Sequence, residues 1–270
     1  MPFFDEMRID MHVYLQTDRF EFRYSEDQTD GSLLWESHCH GEYEMIFILE
    51  SGIDLVYEGR SLRCEKGEIL AIPPLTYHSV TADRNIEYKR VSVIFSQGSY
   101  PAAIEEALTT NANTCPVFSS HDTQRIVSEL KKAVTSKDIN DYIPLIDSLM
   151  TQTVYTCADG EDHAKLQGEK IEKNPILERA ILYIDEHIKE KILLDELASS
   201  LFISKSTLCH LFTEQMQISP KQYILQKKMA YASMLIDSGT PLTDAARAVG
   251  YENYSNFYRI YTKLISKKTK

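Results

Sequence analysis

The sequence predicts an α+β protein in which an N-terminal β-barrel or jelly roll, with two following helices, precedes an all-α domain. In the first 95 residues, short segments alternate apolar and polar residues, which is typical of strands in a sandwich or barrel. Beyond residue 120 the apolar residues recur at helical spacing. From residue 174 a short pattern occurs twice, which predicts two helix-turn-helix units. We therefore expect domains at 1–158 and 174–270, joined by a linker at 159–173.

Six segments have the composition of strands. The predicted strands are residues 9–15, 20–24, 53–57, 61–64, 69–72 and 91–95. Gly59 lies between the third and fourth of these segments, where a tight hairpin turn requires positive φ. Pro73 and Pro74 end the fifth segment, because proline cannot donate to a sheet ladder.

Two amphipathic helices are predicted at 126–134 and 143–154. Pro144 fits the second helix because it falls in the first turn, where its missing N–H is not needed. The apolar stripes of these helices have two interpretations: they cap the core of a small barrel, or they pair with a second subunit. We expect a homodimer formed through the apolar stripes of the helical segment 122–156. Residues 159–173 have no apolar face and are predicted to be a linker.

Composition excludes several classes of protein. No apolar run approaches the roughly 18 residues that cross a bilayer, so we expect no membrane partner. The N-terminus lacks the basic and apolar regions of a signal peptide. An odd number of cysteines without framework spacing indicates reduced thiols and a cytoplasmic location rather than a disulfide scaffold. These cysteines are Cys39, Cys64, Cys115, Cys157 and Cys209.

Charge is distributed unevenly along the chain, whose formal net charge is −11. Residues 174–270 contain 13 Lys and Arg against 10 Asp and Glu, whereas residues 1–173 contain 16 against 30. An acidic front half and a mildly basic rear half indicate two parts with different partners. The excess in the rear half is small, so alone it does not separate a nucleic-acid surface from ordinary surface variation.

The repeated pattern consists of a short helix, at 194–198 and again at 242–246, followed by a turn and a second helix. The second helix of each copy has two apolar residues at i and i+4, which pack it onto the first. These residues are Leu208 and Phe212 in the first copy, and Phe257 and Tyr261 in the second.

The ends of these helices are marked in the sequence. Asn174 and Ser204 are N-cap residues, and a proline follows the first of them. A connecting helix is predicted from Pro220 to about Ser238, with Gly239 at its C′ position. Gly250 lies in the turn of the second unit, where helix-turn-helix motifs often require glycine.

Residues 174–263 resemble the DNA-binding domain of the AraC/XylS family. The second copy has the most recognisable pattern, which comprises Ala246, Val249, Gly250, Tyr251, Ser255, Phe257, Arg259, Tyr261, Thr262 and Lys263. Two departures are His210, where the family usually has arginine, and Gln217, where it usually has glycine. A third departure is that the turn and short final helix that normally follow the second copy are missing before Lys270.

The resemblance implies that the second helix of each unit enters the major groove of double-stranded DNA, the two grooves being about 34 Å apart. The positions that match the family's base-reading residues are Ser206, Cys209, His210, Tyr254, Ser255, Tyr258 and Arg259. Arg259 is the strongest candidate, because a guanidinium can bind guanine O6 and N7 together. Lys205, Lys228 and Lys263 are expected to contact phosphates. The family also implies RNA polymerase as a partner.

Residues 31–95 resemble a cupin. The matching residues are His38, His40 and Glu44 of the first cupin motif and Gly67, Pro73 and His78 of the second. The resemblance implies that three histidines and a carboxylate converge. They could bind a divalent metal such as Zn, Ni, Mn or Fe, contact a small organic effector without metal, or form only a polar barrel mouth. Leu75 departs from the glycine common in metal cupins, and Cys39 is expected to point away from the cluster.

Together the resemblances imply a transcription regulator that is not an enzyme. Its barrel would bind a small molecule, such as a sugar, and the family habit is activation. Two alternatives remain open. The chain could be a metal-dependent cupin enzyme with a helical tail, or a truncated dimerisation partner with weak DNA binding.

Overall fold

A computed structural model describes residues 10–28, 37–50, 52–82, 87–136, 138–160 and 174–265. Nine strands form the described part of the N-terminal domain. They are β1 (Asp10–Gln16), β2 (Glu21–Gln28), β3 (Tyr43–Glu50), β4 (Ile53–Tyr57), β5 (Arg60–Cys64), β6 (Ile69–Ile72), β7 (His78–Ala82), β8 (Glu87–Phe95) and β9 (Val117–Phe118). Most of the predicted linker, residues 161–173, lies outside the described residues.

The strands form two antiparallel sheets, and the described strands do not close into a barrel. The larger sheet has the order β1-β2-β8-β3-β6-β9, and the smaller one has the order β5-β4-β7. Of the two predicted architectures, the structure is therefore a two-sheet sandwich of the jelly-roll kind. The predicted hairpin joins β4 to β5, with Gly59 at φ +76° as its turn requires.

Side chains of the larger sheet alternate between two cores. On β3, Met45 and Phe47 face the helices that cover the sheet, whereas Ile46 and Ile48 face the smaller sheet. Because both faces are covered, β3 is buried over nearly its whole length and shows no apolar–polar alternation. The alternation of apolar and polar residues that predicted the other strands is therefore missing from β3.

Three helices follow the sandwich, one more than predicted. They are α1 (Ala102–Thr114), α2 (His121–Val134) and α3 (Ile143–Asp159), with a short 3₁₀ turn at Ile139–Tyr142 before α3. Helix α1 could not be predicted from the sequence, because its buried face holds only Glu105, Leu108 and Ala112, which form too weak an apolar stripe. Pro144 lies in the first turn of α3, as predicted.

The apolar stripes of α2 and α3 pack against the larger sheet. Ile126, Leu130, Ile146 and Leu149 are all buried in this core. The capping interpretation is therefore correct for these side chains. A second subunit would have to contact the opposite, exposed face of the helices.

Six helices form the described C-terminal domain. They are α4 (Pro175–Glu186), α5 (Leu194–Ser200), α6 (Lys205–Met216), α7 (Pro220–Asp237), α8 (Leu242–Ala248) and α9 (Tyr254–Ile265). The predicted caps are confirmed: the Asn174 side chain accepts from the N–H groups of Ile176 and Leu177, and Ser204 accepts from Thr207. Gly239 and Gly250 have φ of +95° and +77°.

The connecting helix α7 contributes to two separate cores. Tyr223 and Ile224 pack in the core of the first helix-turn-helix unit, α5–α6. Met229 and Ala232 pack in the core of the second unit, α8–α9, around Phe257. One helix thus supports both units.

Two expectations from composition can be compared with the structure. All five cysteines lie in the described segments, and none of them forms a disulfide bond. Among the helices of the described segments, none has the length and apolarity that a membrane crossing requires.

Candidate functional sites

The four residues of the predicted cluster, His38, His40, Glu44 and His78, come together at one end of the sandwich. Each offers a ligand atom, and these atoms all lie within 4.8 Å of one another. The rings of His38 and His78 are 4.4 Å apart between centroids, and those of His40 and His78 are 5.2 Å apart. All but His38, which is half-buried, are shielded from solvent.

Backbone pairing between the two sheets places these residues. His38 and His78 exchange two backbone hydrogen bonds of 3.0 Å, which join the segment before β3 to the start of β7. The N–H of Leu75 donates to the carbonyl of His40 at 2.8 Å. Leu75 has φ +62°, so a left-handed backbone is needed where the metal cupins commonly have glycine. The departure in sequence therefore keeps the backbone geometry, at some cost in strain.

Hydrogen bonds to the backbone fix the tautomers of two histidines. Nδ1 of His40 lies 2.9 Å from the carbonyl of Glu42, and Nδ1 of His78 lies 2.9 Å from that of Thr76. A carbonyl only accepts, so each Nδ1 must carry the proton. In the neutral rings each Nε2 is then an unprotonated acceptor, and both point at the same Oε2 of Glu44, at 3.2 Å.

Glu44 is anchored by a residue that the sequence analysis did not select. Ser92 on β8 donates to Oε1 of Glu44 at 2.6 Å. Burial alone would raise the pKa of Glu44, but when Nε2 of His40 and His78 carries a proton, the hydrogen bonds and charges of these rings outweigh burial and hold this pKa well below its usual range. The carboxylate is therefore the stable form.

The same interior face of β8 also contains Arg90, which is 7% exposed. Burial lowers the pKa of Arg90 to about 10, against the opposing charge of Glu44, so its guanidinium remains charged at neutral pH. Ser92 and Arg90 could have been identified as site residues from the sequence, because they are polar residues in an otherwise apolar strand. The strand predicted from the sequence, 91–95, contains Ser92 but begins after Arg90.

The backbone that holds the cluster also contacts the C-terminal domain. Cys39 packs against the core of the first helix-turn-helix unit, so it points away from the cluster as predicted. At Gly41 a Cβ atom would lie 2.9 Å from the carbonyl oxygen of Ala230 and 2.9 Å from Cβ of Met234, both on α7. The ring of Tyr77 packs against Tyr223 of α7, with 5.3 Å between centroids.

A polar network centred on the half-buried Glu58 joins the two domains. Its carboxylate accepts from the N–H of Tyr77 at 2.8 Å and from the hydroxyl of Tyr223 at 2.7 Å. Nζ of Lys227 lies 3.0 Å from Glu58 and 2.7 Å from Asp185. Burial would lower the pKa of Lys227, but the charges of Glu58 and Asp185 outweigh it and raise the pKa above its usual value. No periodic pattern in the sequence indicated this pairing.

A cavity of about 480 Å³ lies beside this network, between the domains. Its walls include Glu58, Pro73 and Thr76 from the sandwich and Leu177 and Asp185 from α4. It therefore adjoins the segment that leads into His78, on the side facing the C-terminal domain.

The predicted base-reading residues lie on the outer faces of α6 and α9. Ser206 and His210 on α6 are exposed, and Cys209 between them is half-buried. On α9 the exposed residues of this set are Tyr254, Ser255, Tyr258 and Arg259. The opposite faces of both helices bury Leu208 and Phe257, so the outward set is the one left to meet a ligand.

The predicted phosphate contacts divide into two groups. Lys205 and Lys263 are exposed, and Lys205 lies 2.9 Å from Asp195. Lys228 is 6% exposed, and its Nζ donates to three backbone carbonyls. The prediction that Lys228 holds a phosphate is therefore wrong, because its ammonium is buried and its three N–H groups are already used.

Comparison with known proteins gives two family matches. The profile of the AraC-like ligand binding domain matches residues 20–154, and that of a helix-turn-helix domain matches residues 197–267. The uncharacterized HTH-type transcriptional regulator YdiP of Escherichia coli K12 is 24% identical over 96% of this chain and 87% of its own. The lactose operon transcription activator of Staphylococcus xylosus is 29% identical over 52% of this chain and 49% of its own.

Among solved structures, fatty-acid-bound ToxT of Vibrio cholerae aligns over 93% of each chain, with 10% identity and a TM-score of 0.41. A likeness this distant does not extend to the ligand. The two family matches, in contrast, cover the sandwich with its helices and the paired helix-turn-helix units. The chain belongs to the AraC family of transcription regulators, with an N-terminal ligand-binding domain and a C-terminal DNA-binding domain.

Proposed function

We propose that this regulator senses a ligand at the His38, His40, Glu44 and His78 cluster and passes its occupancy to the DNA-binding domain through the backbone that holds the cluster. The observation that supports this is alternation within two short segments. In residues 38–41, His38 and His40 face the cluster, whereas Cys39 and Gly41 face the C-terminal domain. In residues 76–78, His78 faces the cluster and Tyr77 faces α7.

The chemistry of the cluster favours a cation as part of the ligand. Two unprotonated Nε2 atoms and a carboxylate oxygen directed at one another repel, unless a proton or a metal ion lies between them. Histidines that bind metals usually donate their other N–H to a backbone carbonyl, as His40 and His78 do here. With bonds of about 2.1 Å, a Zn, Ni, Mn or Fe ion could be bound by all four residues after a small contraction. An organic effector with a hydroxyl or amino group is the alternative ligand.

We further propose that the outward residues of α6 and α9 read base edges in two successive major grooves. Support comes from their exposure and from the helix-turn-helix geometry of each unit. Arg259 has its guanidinium 3.2 Å from the side-chain oxygen of Asn256, on the same exposed face. Lys205 and Lys263 would contact phosphates, which orient the protein without specifying sequence.

Other parts of the proposal rest on family membership. We propose activation as the direction of regulation, since one relative is named as an operon activator. We also propose contact with RNA polymerase and a cytoplasmic location.

A homodimer would use the exposed face of α3, where Leu145 and Tyr155 are 38% and 45% exposed. Large apolar side chains that are open to solvent on one helix face are a common feature of protein interfaces.

Arg259→Ala should weaken binding of the full chain to its preferred DNA by about 1–3 kcal/mol and relax the preference at one base pair, because a bidentate contact to guanine is lost. Arg247→Ala removes the same charge from the exposed surface of α8 and is the matched control. Fluorescence anisotropy on a duplex series with each base pair changed in turn measures both effects. A uniform loss over the whole series with Arg259→Ala would assign Arg259 to the phosphates.

The untagged protein should bind one equivalent of a divalent ion, measured by elemental analysis after dialysis against Zn²⁺, Ni²⁺, Mn²⁺ or Fe²⁺. Ser92→Ala should lower the affinity by about 10- to 100-fold, because Ser92 orients a ligand without binding the ion. His40→Ala should abolish binding, and the exposed His121→Ala should leave it unchanged. If the wild type retains no ion, the alternative is that the cluster binds an organic effector. A thermal-shift screen of candidate effectors on the wild type and on His40→Ala would identify it.

The proposed coupling can be measured by a double-mutant cycle on DNA affinity. His40→Ala alters the cluster, and Glu58→Gln removes the charge that joins the domains while keeping its shape. The two changes should be non-additive by about 0.5–3 kcal/mol if they share one route. Glu50→Gln, an acid that pairs with Lys66 away from the C-terminal domain, should be additive with His40→Ala. Additivity in both cycles would exclude Glu58 from the route.

The dimer proposal predicts that Leu145→Asp with Tyr155→Asp gives a folded monomer, because two charges oppose burial of this face. Light scattering gives the mass, and circular dichroism checks the fold. Ser128→Asp, on the exposed side of α2, is the control and should leave the mass unchanged. A dimer that survives the double change places the contact elsewhere.

A further inference from the structure

Lys228 lies on α7 at the point where its two cores meet. Ile224, four residues before it, packs in the first helix-turn-helix unit, and Met229, directly after it, packs in the second. Lys228 itself is buried, although its side chain ends in a charge. A buried ammonium is costly unless every N–H finds an acceptor.

The three N–H groups of Lys228 have three acceptors from different parts of the chain. Nζ donates to the carbonyl of Ile188 at 2.7 Å and to that of Glu190 at 2.5 Å, both in the segment between α4 and α5. It also donates to the carbonyl of Val249, at the end of α8, at 2.7 Å. Burial lowers the pKa of Lys228 to about 8, against the opposing charge of Glu190, so the ammonium remains the main form at neutral pH.

A second contact joins the same parts of the chain. Gly250, with φ +77°, lies directly against the backbone that leads into the first unit. A Cβ atom there would lie 2.9 Å from the carbonyl carbon of Glu190 and 3.1 Å from the carbonyl oxygen of Lys189. Any residue other than glycine would push the turn of the second unit away from this segment.

We propose that Lys228 and Gly250 form a joint that fixes the separation and angle of the two helix-turn-helix units, and so restricts the protein to DNA sites with one spacing between two recognised elements. This rests on the proposed reading of DNA by both α6 and α9. Lys228 is a positioning residue in this proposal, because it acts through the placement of α9 rather than on DNA.

The geometry gives a reason for strict spacing. Recognition helices in successive major grooves must be separated by about one helical turn of DNA, near 34 Å. A small rotation of α9 about the end of α7 would move it along the groove. The ammonium opposes such a rotation, because displacing Val249 from Ile188 and Glu190 would leave a buried charge short of acceptors.

The test begins by selecting duplexes from a pool with a random 30-base-pair segment, using the full-length wild type. The selected site is then remade with its two elements one or two base pairs closer or farther apart. Affinities are measured by anisotropy at several salt concentrations for the wild type, Lys228→Met and Gly250→Ala. Lys221→Met, an exposed lysine of the same helix, is the control.

We expect Lys228→Met to bind the DNA site with the selected spacing about tenfold more weakly than the wild type. Its affinities for sites with different spacings should differ less than those of the wild type. The slope of log affinity against log salt should be unchanged. A phosphate contact would instead lower that slope by about 0.9 and weaken all spacings alike, which would overturn the joint. Gly250→Ala should reproduce the effect on spacing without any change of charge. If the Lys228 variant does not fold, Gly250→Ala therefore tests whether the joint fixes the spacing. Strict spacing in a folded variant of either kind would also overturn the joint.

If the proposed reading of DNA by both α6 and α9 is wrong, the experiment gives a different result. If the wild type selects no sequence, or selects a site with a single element, reading by two helices is itself wrong. If the wild type selects a two-element site, only the behaviour of the variants is in question.

Discussion

The placement of the DNA-binding units depends first on the carboxylate of Glu58. It follows the last residue of β4 and occupies a left-handed position in the hairpin turn, with φ +46°, which turns it out of the sandwich towards α7. There it accepts from Tyr77 within its own domain and from Tyr223 in the other, and it pairs with Lys227. Displacing this acid would leave the buried ammonium of Lys227 with only the exposed Asp185 as its ion-pair partner. The two domains are therefore held in one arrangement by a polar contact rather than by apolar area alone.

The period of extended chain decides which residues face the cluster and which face the C-terminal domain. Successive side chains point in opposite directions, so a segment between a pocket and another domain must serve both. Residues 38–41 and residues 76–78 are in this position, and the two segments are paired through His38 and His78. A ligand that draws the histidines together would move the backbone they share with Cys39 and Tyr77. The two segments thus place the cluster at the edge of the sandwich, next to α7.

Much of the fold and of the site could be predicted because both depend on local periodicity. The strand spacing of His38 and His40, the repeated helix-turn-helix pattern and the caps at Asn174 and Ser204 are all short-range signals, and the structure has each of them. What failed depended on long-range contacts. An apolar stripe such as that of Ile146 and Leu149 predicts that one face of a helix is buried. It does not show whether that face packs against the sheet or against a second subunit. The resemblance implied a phosphate contact for Lys228, but the tertiary fold brings three carbonyls to its ammonium, which no local pattern in the sequence indicates.

The adjacent residues Lys227 and Lys228 show why α7 connects the two halves of the protein. Neighbours on a helix are about 100° apart, so the two ammonium groups point in different directions from one backbone position. Lys227 reaches Glu58 of the sandwich, and Lys228 reaches Val249 of the second helix-turn-helix unit. A shift of α7 imposed through Glu58 would therefore also act on the carbonyl groups that hold Lys228, since a single turn of rigid helix contains both residues. A signal from the sensor would thus reach the first unit directly, and Lys228 would pass it to the second unit while the joint keeps the spacing between the two DNA-reading helices.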